Sequence, residues 1–156
     1  MINLRPMKAA EFPDYRDYFI VDYAIEITAN YGYSPEKSRN TALKELMEDL
    51  PQTIATPDNF LLCIVDSSDQ TIGYLWYKLL DKGETAFILD FVVFEELRGL
   101  GYGKAALLAL EQQLFQSGVE QIKLRVAYDN KQAFRLYEKL GFNVTGYNMV
   151  KILGEK

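Results

Sequence analysis

Histidine is absent from this chain of 156 residues. Its absence removes the Ser-His and Cys-His nucleophile systems, the histidine zinc sites and the commonest general base near neutral pH. Cysteine occurs once, as Cys63 within the apolar run at 60–65. No internal disulfide can form, and the thiol is expected to pack as a small hydrophobe rather than to react. No apolar run approaches the roughly 18 residues that would span a bilayer, and residues 1–8 lack the basic-then-apolar plan of a signal peptide, so a cytoplasmic home without membrane contact is the expectation. Basic residues are few and scattered, 17 against 22 acidic ones for a net charge of −5. A broad nucleic-acid surface, which needs clustered Lys and Arg, is therefore not expected. Carboxylate, tyrosine, lysine, backbone and water remain for chemistry.

What is present suits one globular domain over 1–156 with a single core: 49% hydrophobic and 25% charged residues, far from a disordered composition. Residues 2–5 read as a short strand stopped by Pro6. Phe12, Tyr15, Phe19, Tyr23 and Ile27 then recur at helical steps toward Asn30-Tyr31-Gly32. Ser34-Pro35-Glu36 offers an N-cap, a first-position proline and a first-turn acid for a second helix carrying Ala42, Leu43, Leu46, Met47 and Leu50. Three β-rich stretches at 60–65, 71–80 and 85–94, joined by polar turns, predict an antiparallel meander. A helix through Phe115 follows, then an alternating strand at 121–127 that a crossover would make parallel to its predecessor. Asn130 caps a last helix stopped by Gly141, and 142–144 and 147–153 are expected as two final strands. The sum is an α/β domain with a mixed, mostly antiparallel sheet of about seven strands in the order β-α-α-β-β-β-α-β-α-β-β.

The chain is organised around Arg98-Gly99-Leu100-Gly101-Tyr102-Gly103-Lys104, between the third meander strand and the following helix. Alternating glycines let successive N–H groups turn toward one point, and a helix start adds its unpaired donors and dipole, a combination suited to phosphate. Two nucleotide loops can be compared with the spacing. The nucleoside-triphosphate P-loop fails, because Arg98 stands where its first glycine should be and Ala105 replaces its hydroxyl residue. Gly101-Tyr102-Gly103-Lys104-Ala105-Ala106 meets the permissive dinucleotide fingerprint. However, Glu120 precedes the next strand instead of ending it, and three antiparallel strands before the loop are wrong for a doubly wound fold. A dinucleotide-binding protein stays as a minor alternative.

The stretch from Arg98 to Gly103 resembles the Arg/Gln-x-x-Gly-x-Gly/Ala pyrophosphate loop of the GNAT family of N-acetyltransferases. A second block, from Asn130 through Ala133, Leu136 and Tyr137 to Gly141-Phe142, resembles that family's Asn-x-x-Ala-x-x-Leu-Tyr-x-x-x-Gly-Phe segment. The element order agrees too, so the likeness covers essentially the whole chain. It implies acetyl-coenzyme A as cosubstrate, held where the fourth and fifth strands splay apart. Its pyrophosphate would lie on N–H groups of Gly99, Leu100, Gly101, Tyr102, Gly103 and Lys104, and its pantetheine arm along the backbone of Phe91, Val92 and Val93. Arg98 would bind phosphate or fix the loop. Asn130 and Ala133 would join the cofactor contacts, with Asn130 also an N-cap.

The resemblance further implies direct attack of a primary amine, from a small molecule or peptide, on the thioester. Tyr137 would be the general acid to the departing thiolate, and a backbone N–H near Val93 the oxyanion donor. A phenol of pKa about 10 can serve a thiolate of pKa about 8–9 only within hydrogen-bond reach. Asp90 is the carboxylate nearest the reacting strand and the candidate base, with water as its alternative. Such a base matters most for a lysine-like amine, whose neutralisation at pH 7 costs about 4.6 kcal/mol against about 1.4 for an α-amine. Tyr18, Tyr23, Tyr31, Tyr33 and Tyr147 are candidate acceptor-pocket residues able to face a cation, with core or rim packing as the alternative. No metal is implied. A coenzyme-A-binding regulatory module without turnover is the rival from another class, and acetylation of charged tRNA suits the −5 charge poorly. A homodimer is common in the family, and no residue signature tests it or selects the amine.

Overall fold

A computed structural model of the chain describes residues 1–154. Five strands and four helices appear among them in chain order: β1 (Asn3–Pro6), α1 (Phe12–Tyr31), α2 (Pro35–Asp49), β2 (Asn59–Val65), β3 (Thr71–Leu80), β4 (Thr85–Val93), α3 (Tyr102–Gln116), β5 (Gln121–Leu124) and α4 (Lys131–Lys139). The chain forms two compact units. One joins residues 1–12 to 52–125, and the other joins 13–51 to the described residues after 125.

The first unit is the sheet, ordered β1-β2-β3-β4-β5. The first four strands pair antiparallel and β4 pairs parallel with β5. The continuous apolar runs of β2 and β3 reflect burial on both faces, with Cys63, Ile64, Leu75 and Trp76 essentially inaccessible. Burial also raises the Cys63 thiol pKa, as a packed, unreactive thiol requires. Trp76 donates its indole N–H to Asn59 Oδ1 at 2.9 Å, so the buried ring leaves no donor unmet. Helix α3 turns Ala106, Leu107, Leu110 and Leu114 inward and packs on β1 and β4. Arg5 grips Glu11 with two bonds of 2.9 Å, and the Lys8 N–H donates to the same carboxylate at 2.8 Å. These bonds, set against partial burial, hold the Glu11 pKa down at about 2.

In the second unit, Ser34 Oγ accepts from the Lys37 N–H at 3.1 Å and Pro35 opens α2, as the sequence predicts. Thr28 Oγ1 and Ser38 Oγ, 2.7 Å apart, tie α1 to α2. Along α1 the rings of Tyr15, Phe19 and Tyr23 follow one another at centroid distances of 6.0 and 5.4 Å, the neighbours that i, i+4 spacing makes. Helix α4 ends in a Schellman motif, with the Phe142 N–H bonded to Tyr137 O at 3.0 Å and the Gly141 N–H to Glu138 O at 3.1 Å.

Two expectations change. Five strands pair among the described residues and neither 142–144 nor 147–153 is assigned as one, so the expected count of about seven is not confirmed. Their apolar side chains, Met149 at 95% exposure and Leu153 at 81% among them, face solvent. β-Propensity needs a partner strand to become structure. β5 also stops at Leu124 rather than at Ala127. Its partner β4 bulges immediately beyond, since Trp76 lies opposite Asp90 while Tyr77 lies opposite Ile88, leaving Leu89 as the extra residue.

Candidate active site

The bulge at Leu89 divides β4. Residues 85–88 have a neighbour on both sides, and the ladder to β5 closes with Ile88 opposite Leu124. Buried Thr85 fixes its start, donating to Asp81 Oδ2 and accepting from Gln121 Nε2, both at 3.0 Å. Beyond the bulge, β4 continues against β3 as far as Val93 opposite Gly73. No β5 residue stands opposite 89–93.

Strand alternation says which groups face the vacant side. The Phe94 N–H donates to Ile72 O at 2.9 Å and so points to β3. The N–H and C=O groups of Val93, and by the same period those of Phe91, point away from β3. One of these carbonyls is already engaged: Arg98 Nε donates to Val93 O at 2.8 Å. That bond pins the glycine loop to the end of β4. The arginine therefore fixes the loop through Nε, which leaves the guanidinium NH₂ groups as the part that could meet phosphate.

The loop itself has the required conformation. After the short 3₁₀ turn Glu95–Leu97, Gly99 and Gly101 adopt φ of 79° and 85°. Gly101 is the N-cap of α3 in the left-handed region and offers no side chain to the first-turn N–H groups. A Cβ at either glycine would meet nothing within 4 Å, so backbone conformation, not crowding, demands glycine there. Leu100 is exposed and Tyr102, Gly103 and Lys104 begin the helix. The first-turn amides from Tyr102 to Lys104 lie ahead of the first intrahelical bond, from Ala105 N–H to Gly101 O at 3.1 Å. An uncapped helix start behind two left-handed glycines leaves backbone donors of the kind that can hold an anion.

The remaining residues singled out from the sequence occupy the second unit or the bulge. Asn130 is the N-cap of α4, its Oδ1 accepting from the Ala133 N–H at 3.2 Å. Tyr137 is a buried α4 residue at 9% exposure, edge-on to Phe142 at 5.6 Å. Asp90 directly follows the bulged Leu89 and is half-buried. Of the candidate acceptor tyrosines, Tyr33 already carries Lys37 Nζ 3.8 Å from its ring centroid and lies 5.7 Å from the Tyr31 ring. Tyr147 is 83% exposed. Tyr23 has its pKa raised, first by burial and then by the Glu45 carboxylate, so its hydroxyl stays protonated at any physiological pH.

Three features escaped the sequence reading. Gly73 sits where a Cβ would come 2.1 Å from Val92 O, so only glycine permits β3 to approach this part of β4. A glycine inside an otherwise apolar strand was the available signal. The bulge at Leu89 carries no residue signature. Glu45, whose Oε2 is buried without a hydrogen-bond partner, looked like an ordinary charged position of an amphipathic helix.

Comparison with known proteins agrees with this geometry. The model of the acetyltransferase (GNAT) family matches residues 15–142. The uncharacterised N-acetyltransferase YycN of Bacillus subtilis is 33% identical over 154 residues, covering 97% of this chain and 99% of its own. Its crystal structure superposes with a TM-score of 0.92 over 99% of this chain and 100% of that one. A mycothiol acetyltransferase of Kocuria rhizophila is 32% identical over 117 residues, 72% of this chain and 38% of its own. Spermidine N-acetyltransferase of Vibrio cholerae, solved with CoA and spermine, shares the fold at a TM-score of 0.68 and 20% identity over 93% of this chain and 82% of its own.

Proposed function

The chain belongs to the GNAT acetyltransferase family, and from that premise we propose that residues 1–156 act as one N-acetyltransferase domain. It transfers the acetyl group of acetyl-coenzyme A directly to a primary amine of a small molecule or peptide. One observation carries the reading. β4 runs on to Val93 after its ladder to β5 has ended at Ile88, and it does so beside a glycine loop anchored by Arg98. An extended neutral arm completes such a strand by main-chain bonds, which suits pantetheine, while its pyrophosphate meets the amides from Gly99 to Lys104.

In this reading Phe91 and Val93 supply the outward backbone groups, Val92 keeps the strand paired to β3, and the Val93 N–H receives the oxyanion of the tetrahedral intermediate. Asn130 and Ala133 border the cofactor from the start of α4. Tyr137 gives its proton to the leaving thiolate. Asp90, or a water beside it, takes a proton from the acceptor's ammonium group, and the neutral amine so formed attacks the thioester. On the acceptor side, the Glu45 carboxylate, which raises the pKa of the Tyr23 hydroxyl and buries its Oε2, would receive a cationic amine. A cytoplasmic location, where acetyl-coenzyme A is available, goes with this reading, and no helix among the described residues is long and apolar enough to cross a membrane.

A screen of amines by thiol release, run on the native protein and on Tyr137→Phe, tests the reading. Turnover with at least one amine class, cut by roughly 10²-fold or more in the variant at unchanged acetyl-coenzyme A affinity, is expected for a general acid. Acetyl-coenzyme A binding with no turnover by either protein would instead identify a regulatory coenzyme-A module.

A further inference from the structure

Arg98 links the glycine loop to the end of β4, and every group in the link lies in the first unit. The 3₁₀ turn Glu95–Leu97 folds the chain back on itself, with the Leu97 N–H bonded to Phe94 O at 2.9 Å and the Arg98 N–H to Glu95 O at 3.2 Å. That turn brings Arg98 Nε to Val93 O at 2.8 Å. The peptide unit after Val93 is thereby held at both ends, since its N–H, that of Phe94, donates to Ile72 O at 2.9 Å. β3 comes this close because Gly73, opposite Val93, has no Cβ to strike Val92 O. Arg98 is exposed, so water could satisfy all of its donors and burial does not force the bond. What the bond changes is the open side of β4. By the strand period Phe91 and Val93 turn N–H and C=O outward. With Val93 O taken by Arg98, that row of groups ends in a donor, the Val93 N–H, and the carbonyl beside it is already engaged.

We propose that Arg98 is a positioning residue for acetyl transfer: by capping Val93 O it sets the register of the pantetheine arm on β4 and keeps the thioester carbonyl at the Val93 N–H. This role rests on the acetyltransferase reading above. An uncapped Val93 O would offer the arm's amides a second carbonyl two residues beyond that of Phe91, a slip of about 7 Å at roughly 3.4 Å per residue. Such a slip carries the thioester past its donor. The same lone pairs would also face the negative charge that develops on the thioester oxygen, where only donors help. Arg98 therefore acts on the reaction through backbone, by its Nε–H, and this action is separate from any contact its NH₂ groups make with phosphate.

Two neutral replacements separate the bond from the charge. Glutamine carries Nε2 as many bonds from Cα as arginine carries Nε, so Arg98→Gln keeps a donor for Val93 O while losing the guanidinium. Arg98→Met spans the same length with no donor. Calorimetry should show both variants binding acetyl-coenzyme A more weakly than the native protein, within about threefold of each other, because both lose the same charge. Their kcat values, taken per binding site counted in that titration, should differ: Arg98→Met should fall about tenfold or more below Arg98→Gln, toward the roughly 10²-fold that a misplacement of 1 Å costs. Equal kcat in the two variants would overturn the positioning role while leaving the acetyltransferase reading intact. A native protein that acetylates no amine would fail that reading, and this role with it. NMR on the native protein supplies a check that needs no variant to fold. The Arg98 Nε–H should exchange slowly both without and with saturating acetyl-coenzyme A, and loss of its protection on binding would show the side chain leaving Val93 O and would overturn the proposal.

Discussion

The proposed cosubstrate side and the proposed acceptor side of this protein are built from different material. From Phe91 to Lys104 the candidate contacts are backbone: outward N–H and C=O groups of a one-sided strand, two left-handed glycines and an uncapped helix start. On α1 and α2 they are side chains, the ring of Tyr23 and the carboxylate of Glu45 with its buried Oε2. A surface made of backbone tolerates almost any side chain at its non-glycine positions and almost none at its glycines. A surface made of side chains behaves the other way. The first kind leaves a motif, and the second leaves only composition.

That contrast can be broken most forcefully at Gly73. Gly73→Ala drives a Cβ into Val92 O, and we expect a loss of about 3 kcal/mol, the upper range for overpacking, read as a lower denaturant midpoint at unchanged slope. Full stability in that variant would mean β3 and β4 can separate without cost.

Tyr137→Phe should lower kcat about 10²–10⁴-fold, the range of a lost general acid, while calorimetry gives the same acetyl-coenzyme A affinity. Gly101→Val forces a β-branched residue to φ near 85°. It should weaken acetyl-coenzyme A binding about tenfold or more, in line with the roughly 1–2 kcal/mol of a left-handed L-residue. Leu100→Ala and Tyr102→Ala in the same loop should change that affinity less than about threefold, since in the proposed binding mode the cosubstrate meets only main chain there. Equal effects from all three would erase the distinction between the two sides.

The smallest effect tests a structural ion pair away from either surface. The Glu11 pKa is lowered to about 2 by Arg5, below its unfolded value of about 4.3. Its contribution is therefore present in full above that unfolded value and is lost as pH falls toward 2. Glu11→Gln should cost about 1–2 kcal/mol at pH 7. Unfolding curves of the two proteins should differ at pH 7 and converge at pH 2.5.

Most of the fold was legible because local chemistry agreed with tertiary need. The Ser34-Pro35 start, the Asn130 cap, the Gly141 stop and the β2–β3–β4 meander stand where residue type puts them. The glycine loop was legible for the same reason, since a positive φ selects glycine. Features set by pairing were not. The early end of β5 depends on a bulge in its neighbour, and nothing in the Leu89 side chain announces that bulge. The strand-like pattern at 147–153 records a propensity that none of the described ladders takes up. The acceptor side stayed dark because aromatic residues at helical spacing along α1 look the same whether they pack a core or line a pocket.

The central claim is that the vacant side of β4 between Leu89 and Val93 takes acetyl-coenzyme A as an added strand. Backbone amide exchange, followed by NMR with and without acetyl-coenzyme A, addresses it directly. The Phe91 and Val93 amides should gain protection on binding, while Phe94, already bonded to Ile72 O, should change little. Saturating ligand that leaves Phe91 and Val93 exchanging as before would contradict the account.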